Sequence, residues 1–167
     1  MLLNVSLDHK SMEELRDLFG DFVARAQIAA INLDDAESAA LLPRAQAAIG
    51  FGIASPQAAI GVVPGSIAEG PTSLAAHVID RRSGSTHALA LKVPGRHNLA
   101  NALAAIAGCN AAGVPVAQCV SALGSFTGLA RRFDIVGTSP SGVSVIDDFG
   151  HNPEKCAATL ATLKAHP

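Results

Sequence analysis

Apolar and polar positions follow two different periods along the first third of the chain. Three short apolar runs predict β-strands, over residues 2–6, 27–33 and 48–53. Between the first two, Ser11 and Glu14 have the spacing of a capping box, and apolar residues continue from it at helical spacing to Ala26. A second helix is predicted over residues 34–45, capped by its two leading aspartates. This alternation is typical of a parallel sheet with helices on its faces.

The middle of the chain, from Ala58 to Val93, changes to short strands separated by turns. Residues 74–80 and 86–93 flank a polar, Gly-containing turn, which is the signal of an antiparallel hairpin. Beyond it, three further helices are predicted over residues 98–112, 115–126 and 152–165. Two strands are predicted over residues 133–137 and 143–147. The pattern predicts an α/β protein with a mostly parallel sheet, a small antiparallel region and a domain boundary near residues 127–132.

Composition narrows the class of protein. Apolar residues make up 49% of the 167 residues, with no Trp or Tyr, which favours α/β packing with small side chains. A net charge of -2 without a basic stripe argues against a nucleic-acid partner. No apolar run has the length to span a bilayer, and no signal peptide is recognisable, so we expect a cytoplasmic protein. The three cysteines lack CxxC spacing and are expected to be buried thiols.

Two polar clusters lie where predicted helices begin. Asp8 and His9 follow the first strand, where an imidazole can ligate a metal; a capping Asp beside an exposed His is the simpler alternative. Asn98 and Asn101 share a face of a helix start, with His97 beside them. A carboxamide offers a donor and an acceptor, which suits the edge of a purine or a flat amide. The alternative is that Asn98 is only the N-cap.

A third cluster, D-D-F-G-H-N-P over residues 147–153, joins a strand to the last helix. Its carboxylates and imidazole can hydrogen-bond a ribose, bind a metal or move a proton. Arg131 and Arg132 lie upstream and suit a phosphate. In the alternative interpretation, one aspartate caps the turn and the arginines form surface ion pairs.

Taken in order, these clusters resemble the Mur ligases, the ATP-dependent amide ligases of peptidoglycan precursor synthesis. The matching blocks are D-H, then G-x-H-N-x-x-N-A-x-A-A from residue 95, L-x-x-F-x-G-x-x-R-R-F from residue 123 and the D-D-F-G-H-N-P block. The last two are most similar to the branch that acts on UDP-N-acetylmuramic acid and adds L-alanine or a recycled murein tripeptide. The resemblance implies a P-loop-NTPase-like central domain over residues 1–130 and the first β-α unit of a Rossmann-like C-terminal domain over residues 131–167.

The resemblance also implies how ATP is bound. Asn98 and Asn101 match residues near the adenine, with His97 beside them. Asp148 matches an aspartate that contacts the ribose, and Arg132 matches an arginine that reaches the phosphates from the domain junction.

A metal and the chemistry follow from the same resemblance. His9 matches a histidine that ligates a catalytic Mg²⁺, and Arg132 and His151 are the candidate catalytic residues. The family reaction transfers the γ-phosphate of ATP to a substrate carboxylate, and an amino group attacks the resulting acyl phosphate. The implied partners are a UDP-N-acetylmuramic acid-type substrate and an amino acid or peptide acceptor.

The sequence departs from the Mur ligase pattern at several positions. The chain has no G-x-x-x-x-G-K-[ST] phosphate loop, so we expect an internal fragment that is inactive alone. Phe149 stands where a Tyr is common, and Asn152 where a His is usual in the muramate branch. The predicted helix over residues 11–26 carries no lysine, whereas several other branches have a carbamylated lysine there, so a second metal site would have to be built as in the alanine-adding branch.

Three other functions remain open from the sequence. A ligase of the cyanophycin or folylpolyglutamate synthetase type shares the ATPase core. A metal hydrolase would use Asp147, Asp148 and His151 together with His9, and would need no nucleotide. A non-catalytic nucleotide-binding module would bind ATP weakly without turnover.

Overall fold

A computed structural model of the chain describes residues 1–7, 10–151 and 153–165. Its larger sheet contains β1 (Ala29–Asn32), β2 (Ala48–Phe51), β3 (Ile60–Val62), β4 (Ala68–Glu69), β5 (Leu74–Asp80) and β6 (Ser85–Leu91). The helices around it are α1 (Met12–Arg25), α2 (Ala36–Ala40), α3 (Arg96–Ala111) and α4 (Val116–Leu123). A second sheet and a last helix follow, with β7 (Asp134–Thr138), β8 (Ser144–Asp147) and α5 (Pro153–Ala165).

The larger sheet has a parallel part and an antiparallel part. Strands β1, β2 and β3 are parallel neighbours, and β3 then pairs antiparallel with β5. Strand β5 is also antiparallel to β6 along its whole length and to β4 at its first residues. The α/β class with its small antiparallel region is therefore confirmed, and so is the hairpin predicted from the polar turn.

Helices cover both faces of the parallel strands. Within β1, Ala30 packs in the same apolar cluster as α3, while Ala29 and Ile31 pack in the cluster that contains α1. Successive strand residues point to opposite faces, so α3 and α1 lie on opposite sides of the sheet. Leu99 and Leu103 of α3 are fully buried, and this fixes α3 against the sheet.

One ion-pair network ties the β5–β6 turn to the end of α3. Arg82 Nε donates to Asp80 Oδ1 at 2.9 Å, and Arg82 Nη2 donates to Asp80 Oδ2 at 2.7 Å. The same Nη2 also donates to Asn110 Oδ1 at 2.8 Å. The hydrogen bonds from Arg82 lower the pKa of Asp80, and burial opposes them. The network anchors α3 at the end opposite to the candidate site.

The predicted strand over residues 2–6 is wrong beyond its first residue. Only Leu2 bridges β1, opposite Ile31. The next backbone groups bond to side chains instead: Leu3 O accepts from Asn32 Nδ2 at 2.9 Å, and Val5 N–H donates to Asp35 Oδ1 at 3.2 Å. These side chains satisfy the backbone and replace the ladder that an apolar run predicts.

Several predicted helix bounds are also corrected. The helix expected over residues 34–45 breaks into α2 and a short 3₁₀ turn (Leu42–Arg44), because Pro43 cannot continue an α-helical ladder. Helix α3 begins earlier than predicted, with Gly95 at the N-cap, so Asn98 lies inside the first turn and is not the cap.

The cysteine prediction holds for one residue only. Cys119 is buried, whereas Cys109 and Cys156 are exposed. Within the described part of the chain, no helix is both long enough and apolar enough to cross a membrane.

Candidate functional site

A cleft of about 930 Å³ opens between α3, the segment that follows α4, and the β8–α5 turn. Five of the residues singled out in the sequence line it: His97, Asn98, Asn101, Arg132 and Asp148. They come from distant parts of the chain, so the fold itself brings them together. Their roles in binding stay predictions.

The first turn of α3 supplies one wall. Asn98 Nδ2 donates to Pro94 O at 2.7 Å, which fixes the direction of this carboxamide. Asn101 follows on the same face and is exposed, and no described side chain or backbone group hydrogen-bonds its carboxamide. The amide edge of Asn101 is therefore available to a ligand in the cleft.

His97 is half-buried at the same helix start. Burial lowers its pKa because the imidazolium loses water, and the Asp148 carboxylate acts in the opposite direction. The neutral ring is thus favoured at pH 7, with one nitrogen as donor and the other as acceptor.

The opposite wall is formed by the segment around residues 131–133, which has unusual backbone geometry. Arg131 and Phe133 have positive φ angles of 62° and 49°, which few residues other than Gly adopt. Side-chain carboxylates hold both positions: Arg131 N–H donates to Asp134 Oδ2 at 3.2 Å, and Phe133 N–H donates to Asp148 Oδ2 at 2.9 Å. Asp148 therefore has a structural role in addition to lining the cleft.

The two arginines of this segment differ in their partners. Arg131 Nε lies 3.6 Å from Asp147 Oδ2 in an exposed ion pair. Arg132 Nη1 donates to Phe149 O at 3.4 Å, and none of the described carboxylates pairs with it. Its positive charge is therefore available to an anion in the cleft.

Of the other two predicted residues, the structure describes only His151, which does not line the cleft. His151 is exposed on the β8–α5 turn, with Nδ1 3.3 Å from Phe149 O and Nε2 3.1 Å from Lys155 Nζ. His9, the predicted metal ligand, lies outside the described residues, as do Asp8 and Asn152.

Some lining residues were missed by the sequence reasoning. Phe126 and Phe133 give the cleft aromatic walls, and both lie inside the L-x-x-F-x-G-x-x-R-R-F block without having been given a role. Lys155 and Thr159 line it from α5. Their spacing of one helical turn was a signal that they share a face.

The described residues do not form a metal centre by themselves. No group of three or more His, Cys, Asp or Glu side chains converges among them. Asp148 is the one carboxylate in the described lining, and it already accepts a backbone hydrogen bond.

The donor set suits a nucleotide. Aromatic and aliphatic walls accept a flat ring, and the carboxamides of α3 can read its polar edge. A carboxylate can accept hydrogen bonds from sugar hydroxyls, and a guanidinium matches phosphate oxygens.

Two family models cover most of the chain. The Mur ligase middle domain matches residues 2–109, and the glutamate ligase domain of the Mur ligases matches residues 131–167. The chain belongs to the Mur ligase family. The two matched segments of this Mur ligase chain supply the opposite walls of the cleft, α3 from the first and Asp148 from the second.

Two curated relatives carry the same name. The chain is 33% identical over 174 residues to the UDP-N-acetylmuramate–L-alanine ligase of Geobacter sulfurreducens, with 99% of this chain and 37% of that protein covered. It is 36% identical over 179 residues to the ligase of the same name from Mycobacterium sp. strain JLS, with 99% and 36% covered. The chain thus spans just over a third of the length of these relatives.

Solved structures share the fold. The UDP-N-acetylmuramate-alanine ligase of Thermotoga maritima superposes with a TM-score of 0.78 at 27% identity, covering 98% of this chain and 37% of that one. MurF from Acinetobacter baumannii gives a TM-score of 0.84 at 20% identity, covering 99% and 37%, and shows the fold alone.

Proposed function

We propose that this chain is the nucleotide-binding part of an ATP-dependent ligase that joins UDP-N-acetylmuramic acid to L-alanine in the cytoplasm. The names of the curated relatives support L-alanine over a murein peptide as the acceptor. In this proposal residues 1–130 belong to the central domain and residues 131–167 begin the C-terminal domain.

The observation that carries the proposal is the convergence of α3, Arg132 and Asp148 on one cleft. Asn98 and Asn101 would hydrogen-bond the adenine edge, and Asp148 would accept from the ribose hydroxyls. Arg132 would contact the phosphates, where its charge offsets theirs. Because Arg132 and Asp148 follow α4 in the chain, movement of the C-terminal segment would carry them towards or away from the nucleotide.

The chemistry proposed for the whole ligase has two steps. A carboxylate oxygen of the muramate attacks the γ-phosphorus of ATP, and ADP leaves. The L-alanine amine then attacks the acyl carbon, phosphate leaves and a proton is lost. Mg²⁺, when bound, would offset charge on the phosphates, with His9 as its predicted ligand in this chain. The residues that line the cleft hold and orient the nucleotide.

Binding of ADP to the chain tests the site directly. We expect Asn101→Ala to weaken ADP binding about three- to tenfold in a titration followed by NMR, since one hydrogen bond to the base is lost. Gln118→Ala is the matched control, because this carboxamide is exposed on α4 and lies outside the cleft lining. No ADP binding, or equal weakening by both variants, would contradict the proposed site.

An assay of ATP-dependent amide formation tests the reaction. We expect no turnover by this chain alone, because it carries no G-x-x-x-x-G-K-[ST] segment to hold the phosphates. A ligase that includes such a segment should release phosphate only with both UDP-N-acetylmuramic acid and L-alanine. Turnover by the chain alone would contradict this expectation.

A further inference from the structure

We propose that Phe149 is a positioning residue whose ring holds the guanidinium of Arg132 where it meets the nucleotide phosphates. The inference rests on the proposed function and adds to it a residue that does not itself line the cleft.

The ring of Phe149 contacts two cations at once. The Arg131 guanidinium carbon lies 5.0 Å from the ring centroid, and the Arg132 guanidinium carbon lies 5.7 Å from it. Both distances fall within the range of about 6 Å in which the ring quadrupole attracts a cation. One aromatic side chain therefore orients both arginines of the pair.

Only one of these cations remains available for a ligand. Asp147 offsets the charge of Arg131, whereas Arg132 has no carboxylate partner among the described residues. The contacts that orient the Arg132 guanidinium are both with Phe149, one with its ring and one with its carbonyl oxygen. Losing the ring leaves a single 3.4 Å hydrogen bond to hold a long, exposed side chain.

The backbone keeps the ring next to the arginines. Phe149 N–H donates to Arg131 O at 2.9 Å, and the neighbouring Asp148 accepts from Phe133 N–H. These two bonds lie on either side of Arg132 in the chain. Because they involve backbone groups of Phe149 and a side chain of Asp148, they survive a change of the Phe149 side chain.

Substitutions at Phe149 separate the ring's electrostatics from its bulk. Phe149→Leu keeps an apolar side chain but removes the π face, and Phe149→Tyr keeps the face. Phe22→Leu is the matched control, because Phe22 is exposed to a similar extent, 52% against 49%, and lies on α1 outside the cleft lining.

The first measurement needs no nucleotide. The side-chain protons of Arg132 should be shifted upfield by the aromatic ring in NMR spectra of the unsubstituted chain and of Phe149→Tyr. Phe149→Leu should move them to random-coil positions, while Phe22→Leu should leave them unchanged. Unshifted Arg132 protons in the unsubstituted chain would overturn the proposal.

The second measurement compares ADP with adenosine. We expect Phe149→Leu to weaken ADP binding about two- to fivefold, the size of an exposed cation–π contact, without changing adenosine binding or the melting temperature. Phe149→Tyr should restore ADP binding. Equal weakening for both ligands, or none, would overturn the positioning role alone, whereas failure of the unsubstituted chain to bind ADP would overturn the proposed function as well.

Discussion

At the scale of single residues, His97 shows how burial and a nearby charge compete. The imidazole is half-buried beside α5, and the loss of water outweighs the attraction of the Asp148 carboxylate for the charged form. We therefore expect a neutral ring in the cleft at the pH where nucleotide binds.

Titration of the imidazole by NMR checks this balance. We predict that the pKa of His97 lies below its ordinary value of about 6.5 and falls further in Asp148→Asn, since the charge that raises it is removed. Asp147→Asn is the control, because the carboxylate of Asp147 does not contribute to the shift. A higher pKa in Asp148→Asn would contradict the prediction.

The same shift affects folding stability. Because the pKa is lower in the folded chain, the unfolded chain binds more protons between the two pKa values. The contribution of His97 is fully present above the unfolded pKa of about 6.5 and is lost as the pH falls towards the folded pKa.

At the scale of elements, the start of α3 meets α5 with almost no space between them. Gly95, the N-cap of α3, has a φ angle of 89°. A Cβ atom there would lie 2.5 Å from Oγ1 of the buried Thr162 and 2.8 Å from Cε1 of His97. Gly at this position therefore permits both the turn and the approach of α5.

Two glycine substitutions separate the cost of the positive φ angle from the cost of the close approach to α5. Gly113→Ala has a similar φ angle of 92° with no described atom within 4 Å, so it should cost only the backbone strain, about 1–2 kcal/mol. Gly95→Ala adds overpacking and should cost roughly 2–5 kcal/mol in chemical denaturation. Equal losses of unfolding free energy would show that the contact with Thr162 is unimportant.

Elements with local signals were the ones that sequence could predict. Helix α1 follows from the Ser11 capping box, whose two reciprocal hydrogen bonds are present. The N-terminal strand was mispredicted because Asn32 and Asp35, remote in sequence, bind its backbone. The antiparallel pairing of β7 with β8 does not follow from the sequence, since an apolar run does not indicate the direction of its neighbour.

In the candidate site, too, the features set by nearby residues could be predicted and those set by distant residues could not. His97, Asn98 and Asn101 are close in sequence, and a motif sufficed to group them. The positive φ angles at Arg131 and Phe133 could not be foreseen, because they depend on hydrogen bonds to carboxylates elsewhere in the fold.

At the scale of the whole molecule, the two sheets differ in how many of their residues are buried. Strands β3 and β5 lie in the main apolar cluster, whereas most residues of β7 and β8 are exposed. A two-stranded sheet is marginally stable by itself, so the C-terminal segment depends on the approach of Thr162 on α5 to Gly95 at the start of α3.

Hydrogen exchange should reveal this difference. We predict that backbone amides of β7 exchange at least about tenfold faster than those of β5, because local opening exposes little additional apolar surface there. The amides of β6 that hydrogen-bond to β5 provide the protected control. Equal protection in β5 and β7 would show that both sheets unfold as one cooperative unit.

The β7–β8 hairpin has a practical consequence. Within the described part of the chain these strands pair only with each other, which leaves hydrogen-bonding groups along both outer edges. Val136, Val143 and Val145 add apolar surface there, each more than half exposed. Such edges are templates for intermolecular pairing. We therefore expect concentrated stocks of this polypeptide to self-associate through the hairpin.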